Sequence, residues 1–122
     1  MMNMAEISAN GYQDIRDRIQ AGWQYIELRD EAGVPIVRLP ESDPRVTWTH
    51  EPGAQTLELT VVVKGDDDDI APLLPKTFGS AALYTVPTDG DPMAVESFTQ
   101  FTMSTEADQL TVIFKVEVPQ VI

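Results

Sequence analysis

TLELTVVVK (Thr56–Lys64) is the segment whose reading decides the fold. Leu57, Leu59, Val61 and Val63 lie on one side of an extended chain, and Thr56, Glu58, Thr60 and Lys64 on the other. Only Val62 departs from the alternation. A period of two in a run of strand-forming residues predicts a β-strand with one face on a core and one in water. The pattern returns in QLTVIFKVEV (Gln109–Val118), where Leu110, Val112, Phe114, Val116 and Val118 share a face opposite Thr111, Lys115 and Glu117. Pro119 is expected to end that strand.

Weaker versions of the pattern fill most of the remaining chain. WQYIELRD (Trp23–Asp30) and VPIVRL (Val34–Leu39) flank a short turn containing Gly33, which predicts a β-hairpin. Pro35 cannot donate to a ladder, so the second strand is expected at a sheet edge. VTWTH (Val46–His50), FGSAALYTV (Phe78–Val86) and AVESFTQFTM (Ala94–Met103) complete the set. Turn-rich stretches separate them: Pro40–Arg45, Glu51–Ala54, Thr88–Pro92 and Ser104–Asp108. About seven short strands with turn signals between them predict a mainly β chain, an antiparallel sandwich or small barrel.

The N-terminal part differs. Tyr12, Ile15 and Ile19 recur at helical spacing, Gly22 is placed to stop a helix, and Asn10 with Gln13 resembles a capping box. One short amphipathic helix is expected over Asn10–Ala21, its polar face formed by Asp14, Arg16, Asp17, Arg18 and Gln20. Residues 1–22 therefore read as an arm plus helix, and residues 23–122 as the β domain. An isolated helix of about three turns is marginal, so its apolar stripe must dock. It either lies over an open end of the sandwich or, with the preceding arm, packs on another subunit. In the second case Tyr12, Ile15, Ile19 and Trp23 are the candidate partner-binding residues.

Composition narrows the chemistry. The chain has 122 residues, no cysteine, and a formal charge of −12 from 20 acidic and 8 basic residues. The length suits one domain. Disulfides and cysteine-ligated zinc are excluded. Arg16, Arg18, Arg29, Arg38 and Arg45 are scattered, so binding of nucleic acid through clustered phosphate contacts is not expected. No apolar run approaches the ~20 residues of a membrane span, and no membrane insertion is expected. MMNMAEISANGY has neither a basic nor a long apolar region, so no secretory signal is expected, and synthesis and folding in a cytoplasm are.

The most conspicuous local feature is Asp66–Asp69. Counting a calcium loop from Asp66 puts Ala71 at position six and Thr77 at position twelve, where Gly and an acid are needed. The run therefore reads as a solvated turn that stops the Val61–Val63 strand from extending, with docking onto a basic partner surface as another reading. Asp66 and Asp68 are the residues to consider if a cation binds. The single histidine, His50, ends a strand without an evident nucleophile or orienting partner; an exposed or turn-capping role is expected. The pairs Asp14/Asp17 and Asp89/Asp91 read as solvent-facing charges. No phosphate loop, nucleophile elbow or zinc motif occurs, and neither enzymatic activity nor a cofactor is expected. Trp23, Tyr25 and Trp48 read as core or, if exposed, as a carbohydrate-stacking or protein-docking patch.

Three segments carry a resemblance: WQYIELRDEAGVPIVRL, DPRVTWTHEPGAQTLELTVVVKG and FTQFTMSTEADQLTVIFKVEVPQ. They are similar to small β-rich tail-fibre or tail structural proteins of tailed bacteriophages, over most of the chain from about Gly11 to Pro119. The resemblance implies a virion tail component, made in the host cytoplasm and self-associating, commonly as a trimer. Other tail or baseplate proteins and a host surface receptor are the further partners it implies. It brings no catalytic residues. The alternatives are a capsid decoration protein, an acidic inhibitor binding a host factor, and a carbohydrate-binding module using Trp23 and Trp48.

Overall fold

A computed structural model of the protein describes residues 4–118. One helix, α1 (Ala9–Gly22), precedes seven strands: β1 (Tyr25–Asp30), β2 (Pro35–Pro40), β3 (Val46–Trp48), β4 (Thr56–Lys64), β5 (Lys76–Tyr84), β6 (Ala94–Met103) and β7 (Gln109–Glu117). They form two sheets, of order β2-β1-β5-β6 and β3-β4-β7, with every pairing antiparallel. The molecule is an open sandwich, not a closed barrel. The mainly β reading holds, and the barrel alternative does not.

The alternation in β4 is realised residue by residue: Leu57, Leu59, Val61 and Val63 are buried and their neighbours are half-buried or exposed. Leu59, Val61 and Val63 meet Leu110, Val112 and Phe114 of β7 and Ile26, Leu28, Phe78, Leu83 and Met103 of the other sheet in one core, while Leu57 packs in a second cluster with Ile19 and Val118. Pro35 does lie on an edge strand, β2. The β1–β2 turn contains Gly33 at φ 78°, a value that its missing Cβ makes inexpensive. In β6 the pairing to β5 shifts between Phe78 and Ser80, and extra residues between Phe98 and Phe101 reset the alternation so that both rings pack on the core.

Several boundaries move, each for a local reason. β1 begins at Tyr25 instead of Trp23, because the Trp23 N–H closes α1 on the Ile19 carbonyl at 2.8 Å. β3 ends at Trp48, where the His50 ring replaces the next ladder bond by accepting the Glu58 N–H at 3.1 Å. β5 runs from Lys76 to Tyr84, two residues earlier at each end than expected, since Val86 turns away to place its carbonyl on Arg38 at 3.1 Å. The expected end at Pro119 lies outside the described residues.

The helix also departs from expectation. Its cap is Ser8, whose Oγ accepts the Gly11 N–H at 3.2 Å, so the helix starts before Asn10. Gln13 instead binds Asp17 at 2.8 Å and Arg16 at 3.1 Å. The docked stripe is Tyr12, Arg16, Ile19 and Trp23, at i, i+4, i+7 and i+11; Ile15 lies beside it, exposed. Arg16, expected on the solvated face, is buried and donates to the Val118 carbonyl at 3.0 Å. The stripe sits on Leu57, Trp48, Val116 and Val118, so α1 covers one end of the sandwich.

Candidate functional site

The aspartate run is organised by one cation. Arg45, at the entry to β3, contacts Asp43 at 2.9 Å, Asp67 at 3.2 Å and Asp69 at 2.8 Å. Hydrogen bonding to Asp43 and then Asp69 raises the Arg45 pKa, and the Arg45 guanidinium holds Asp43 and Asp69 below the usual carboxylate range. Asp67 also accepts the Lys64 N–H at 3.0 Å, closing the turn that seats Ile70 in the core. Asp66 and Asp68, the residues expected to bind a cation if one binds, are exposed and lie outside the Arg45 contacts. Among the described residues no group of three or more His, Cys, Asp or Glu is arranged to hold a metal ion. The run is thus a turn fastened at two of its four side chains. An Arg45→Met variant is expected to lose about 1–2 kcal/mol in urea unfolding, less than a buried network would because Asp69 faces water. Amide exchange at Ile70 should accelerate with it.

A second polar cluster lies on the outer face of the four-stranded sheet. Glu27 of β1 is buried; Arg38 of β2 donates to it at 2.7 and 3.0 Å and Arg29 at 2.9 Å. The Tyr84 hydroxyl of β5 donates at 3.2 Å, and the Arg38 guanidinium stacks 3.5 Å from the Tyr84 ring centroid. Arg38 also donates to the carbonyls of Val86 and Asp89, tying the β5–β6 loop down. Burial opposes ionisation of Glu27, and the hydrogen bonds from Arg38 and Arg29 outweigh it, leaving its pKa lowered. A depression of about 430 Å³ adjoins the cluster, but Arg38 is fully engaged there, so the cluster reads as a latch.

His50 is half-buried, not exposed. Its Nδ1 accepts the Glu58 N–H, which leaves Nε2 to donate to Gln20 Oε1 at 3.1 Å. Both ring nitrogens join α1 to the end of the three-stranded sheet. Trp23 and Trp48 are half-buried in the clusters beneath α1. Trp48 also lines a shallow depression with Asp17, Gln20, Ala21 and Glu41. Asp14 pairs with Arg18 at 2.8 Å on the exposed helix face, and Asp89 sits in the β5–β6 turn at φ 56°. Of the four residues expected to bind a partner, Ile19 is buried, Tyr12 and Trp23 pack on the chain's own sandwich, and Ile15 faces outward.

The remaining candidate is an edge. Both sheets end on the same side of the sandwich, at β6 and β7. Between them a groove of about 290 Å³ is lined by Glu96, Phe98, Leu110, Val112 and Phe114 among others. β7 pairs with β4 without a break over all nine residues. The Val118 N–H points toward the β4 side, bonding the Gln55 carbonyl at 3.4 Å, whereas the Lys115 N–H points outward and donates to Glu96 Oε2 at 3.1 Å. By alternation, Thr111, Ile113 and Glu117 also point their backbone groups outward. Ile113, 48% exposed, lies in the middle of this edge. The other three edges are guarded: β2 carries Pro35 and Pro40, β3 has three residues, and β6 is bulged. Long, regular and apolar at its centre, β7 is the least guarded of the four edges, with Glu96 on its Lys115 N–H. The sequence showed its alternation but not its position at a sheet end, which follows from topology.

Comparison with known proteins returned no matching family model, no matching curated protein and no matching solved structure.

Proposed function

We propose that the protein is a non-enzymatic structural component of a bacteriophage particle, a tail fibre or fibre-like tail or baseplate part that works by associating with copies of itself. The observation that carries self-association is the long, regular β7 edge beside an apolar groove, where a side chain, Glu96, takes up the outward Lys115 N–H. Natural sandwiches protect such edges unless they are used. The assignment to the tail draws on the resemblance of the three β segments to tail proteins. The internal use of Glu27, Arg38, Arg45 and His50 in holding loops and elements together agrees with a building block.

Charge sets a condition on the assembly. Copies that each carry −12 repel, so contact must come from neutral backbone and apolar groups and strengthen as salt screens the repulsion. Sedimentation equilibrium from micromolar to sub-millimolar protein, at low and moderate salt, is the test. The expected result is a mass at a small multiple of the 13.5 kDa chain, with a trimer as the specific expectation, favoured by added salt. A monomer under all these conditions would remove the proposal. Labelled protein should then locate to the tail of the particle; labelling of the head would favour a decoration protein.

A further inference from the structure

We infer that the strand completing the β7 edge is the N-terminal arm of a second copy, residues 4–8, laid parallel to β7 over the β6–β7 groove. This rests on the self-association proposed above and names the contact that produces it. Residues 4–8 belong to no helix or strand and are exposed, with Met4 at 86% and Ile7 at 44%. Ser8 is already extended, at φ −77° and ψ 170°. Five extended residues span about 17 Å, a little over half of the about 30 Å of a nine-residue strand. In a chain with 20 acidic residues, this arm carries one charged side chain, Glu6, so another copy repels it little.

The register follows from which side chains tolerate water. Strand side chains alternate, so Glu6 facing outward puts Met4 outward as well and turns Ala5 and Ile7 inward. Inward, Ala5 and Ile7 meet the groove lined by Phe98 and Phe114. Outward, a parallel alignment sets Met4 beside the exposed Ile113 and Glu6 beside Lys115, an apolar pair and an opposite-charge pair. The antiparallel alignment that keeps Glu6 on Lys115 sets Met4 against Glu117 and loses the first match. The arm's backbone takes over the Lys115 N–H from the Glu96 carboxylate, which occupies it in the isolated chain. Arm-to-groove contact is heterologous, so it closes into a ring, such as a trimer, or continues as a fibre.

The absence of native cysteine makes the test direct. One preparation carries Met4→Cys and a second Ile113→Cys, both at exposed positions, and the two are mixed and oxidised. The expected product is a disulfide between unlike chains, forming faster than Met4→Cys with a Val34→Cys control, which is as exposed as Ile113 and lies at the β1–β2 turn of the other sheet. Deleting residues 1–7, which leaves the Ser8 cap in place, is expected to reduce the assembly to monomer while the circular dichroism spectrum keeps its β signature. An assembly that persists without the arm, or cross-links only between two Ile113→Cys chains, overturns the arm inference and leaves self-association standing. A full-length chain that is monomeric throughout overturns both.

Discussion

Replacing Glu27 with alanine is expected to lower stability by about 3–5 kcal/mol, because it leaves Arg29 and Arg38 without their shared counter-ion at a site where both are mostly enclosed. The loss should exceed that of Arg38→Ala or Arg29→Ala alone, since each of those leaves Glu27 one cation. The pH dependence identifies the cause. The folded-state pKa of Glu27 is lowered, so its ionisation contributes stability above the unfolded-state value of about 4.3 and ceases to as pH falls through the lower folded value. The gap between wild type and Glu27→Ala in urea denaturation should be constant above about pH 5 and shrink below about pH 4. A gap of similar size at low and neutral pH would mean that packing, and not the charge network, is what the substitution removes. Glu27→Gln should fall between, keeping the shape and losing the charge.

The second large effect is expected at Gly65. A Cβ there would overlap the Thr105 carbonyl oxygen and lie 2.8 Å from the Glu106 Cα, both backbone atoms. The opposing loop cannot easily retreat, because the Asp108 carboxylate accepts the N–H groups of Ser104 and Thr105 at 2.8 and 3.0 Å, and the Asp108 carbonyl accepts the Gly65 N–H at 2.9 Å. Gly65→Ala is therefore expected to cost about 3 kcal/mol, at the upper end for a single added methyl group. Gly22→Ala is the control: nothing lies within 4 Å of its added Cβ, and the last helical residue gains from the substitution, so a change between zero and about 1 kcal/mol of stabilisation is expected. Equal effects at the two glycines would refute the close approach of the two loops.

These two sites show which parts of the molecule the sequence makes legible. The alternation in Thr56–Lys64 is a local property, and the strand appears with those bounds. Ala94–Met103 likewise keeps its predicted bounds, although the bulge between Phe98 and Phe101 blurs its alternation. Gly65 reads in sequence only as a possible tight turn before the aspartates; its contact is with residues forty positions away, and no local pattern encodes that approach. Glu27 was closer to reach. The Gly33 hairpin places it opposite Arg38 by counting back from the turn, and Arg29 follows at i+2 on the same face. What hid the cluster was the position of Tyr84, which comes alongside only because β5 pairs with β1 across the sheet.

The helix illustrates a different limit. Tyr12, Ile15 and Ile19 and the set Tyr12, Arg16 and Ile19 are both helical spacings, and hydrophobicity alone favours the first. The structure takes the second because the Arg16 stem packs while its guanidinium reaches the Val118 carbonyl, an acceptor at the far end of the chain. Arg45 was invisible for a related reason: its three carboxylates come from two segments separated by two strands, β3 and β4. Polar networks closed by long-range topology leave no periodic trace, whereas apolar faces do.

The most direct measurement of the central claim, that β7 is an assembly edge, is residue-resolved amide exchange along that strand at low and high protein concentration. If another strand pairs there, the outward amides of Thr111, Ile113 and Glu117 exchange quickly in dilute protein and become as protected as those of Leu110, Val112 and Phe114 when the protein is concentrated. Outward amides that stay fast at every concentration, in a chain whose inward amides remain protected, would contradict it.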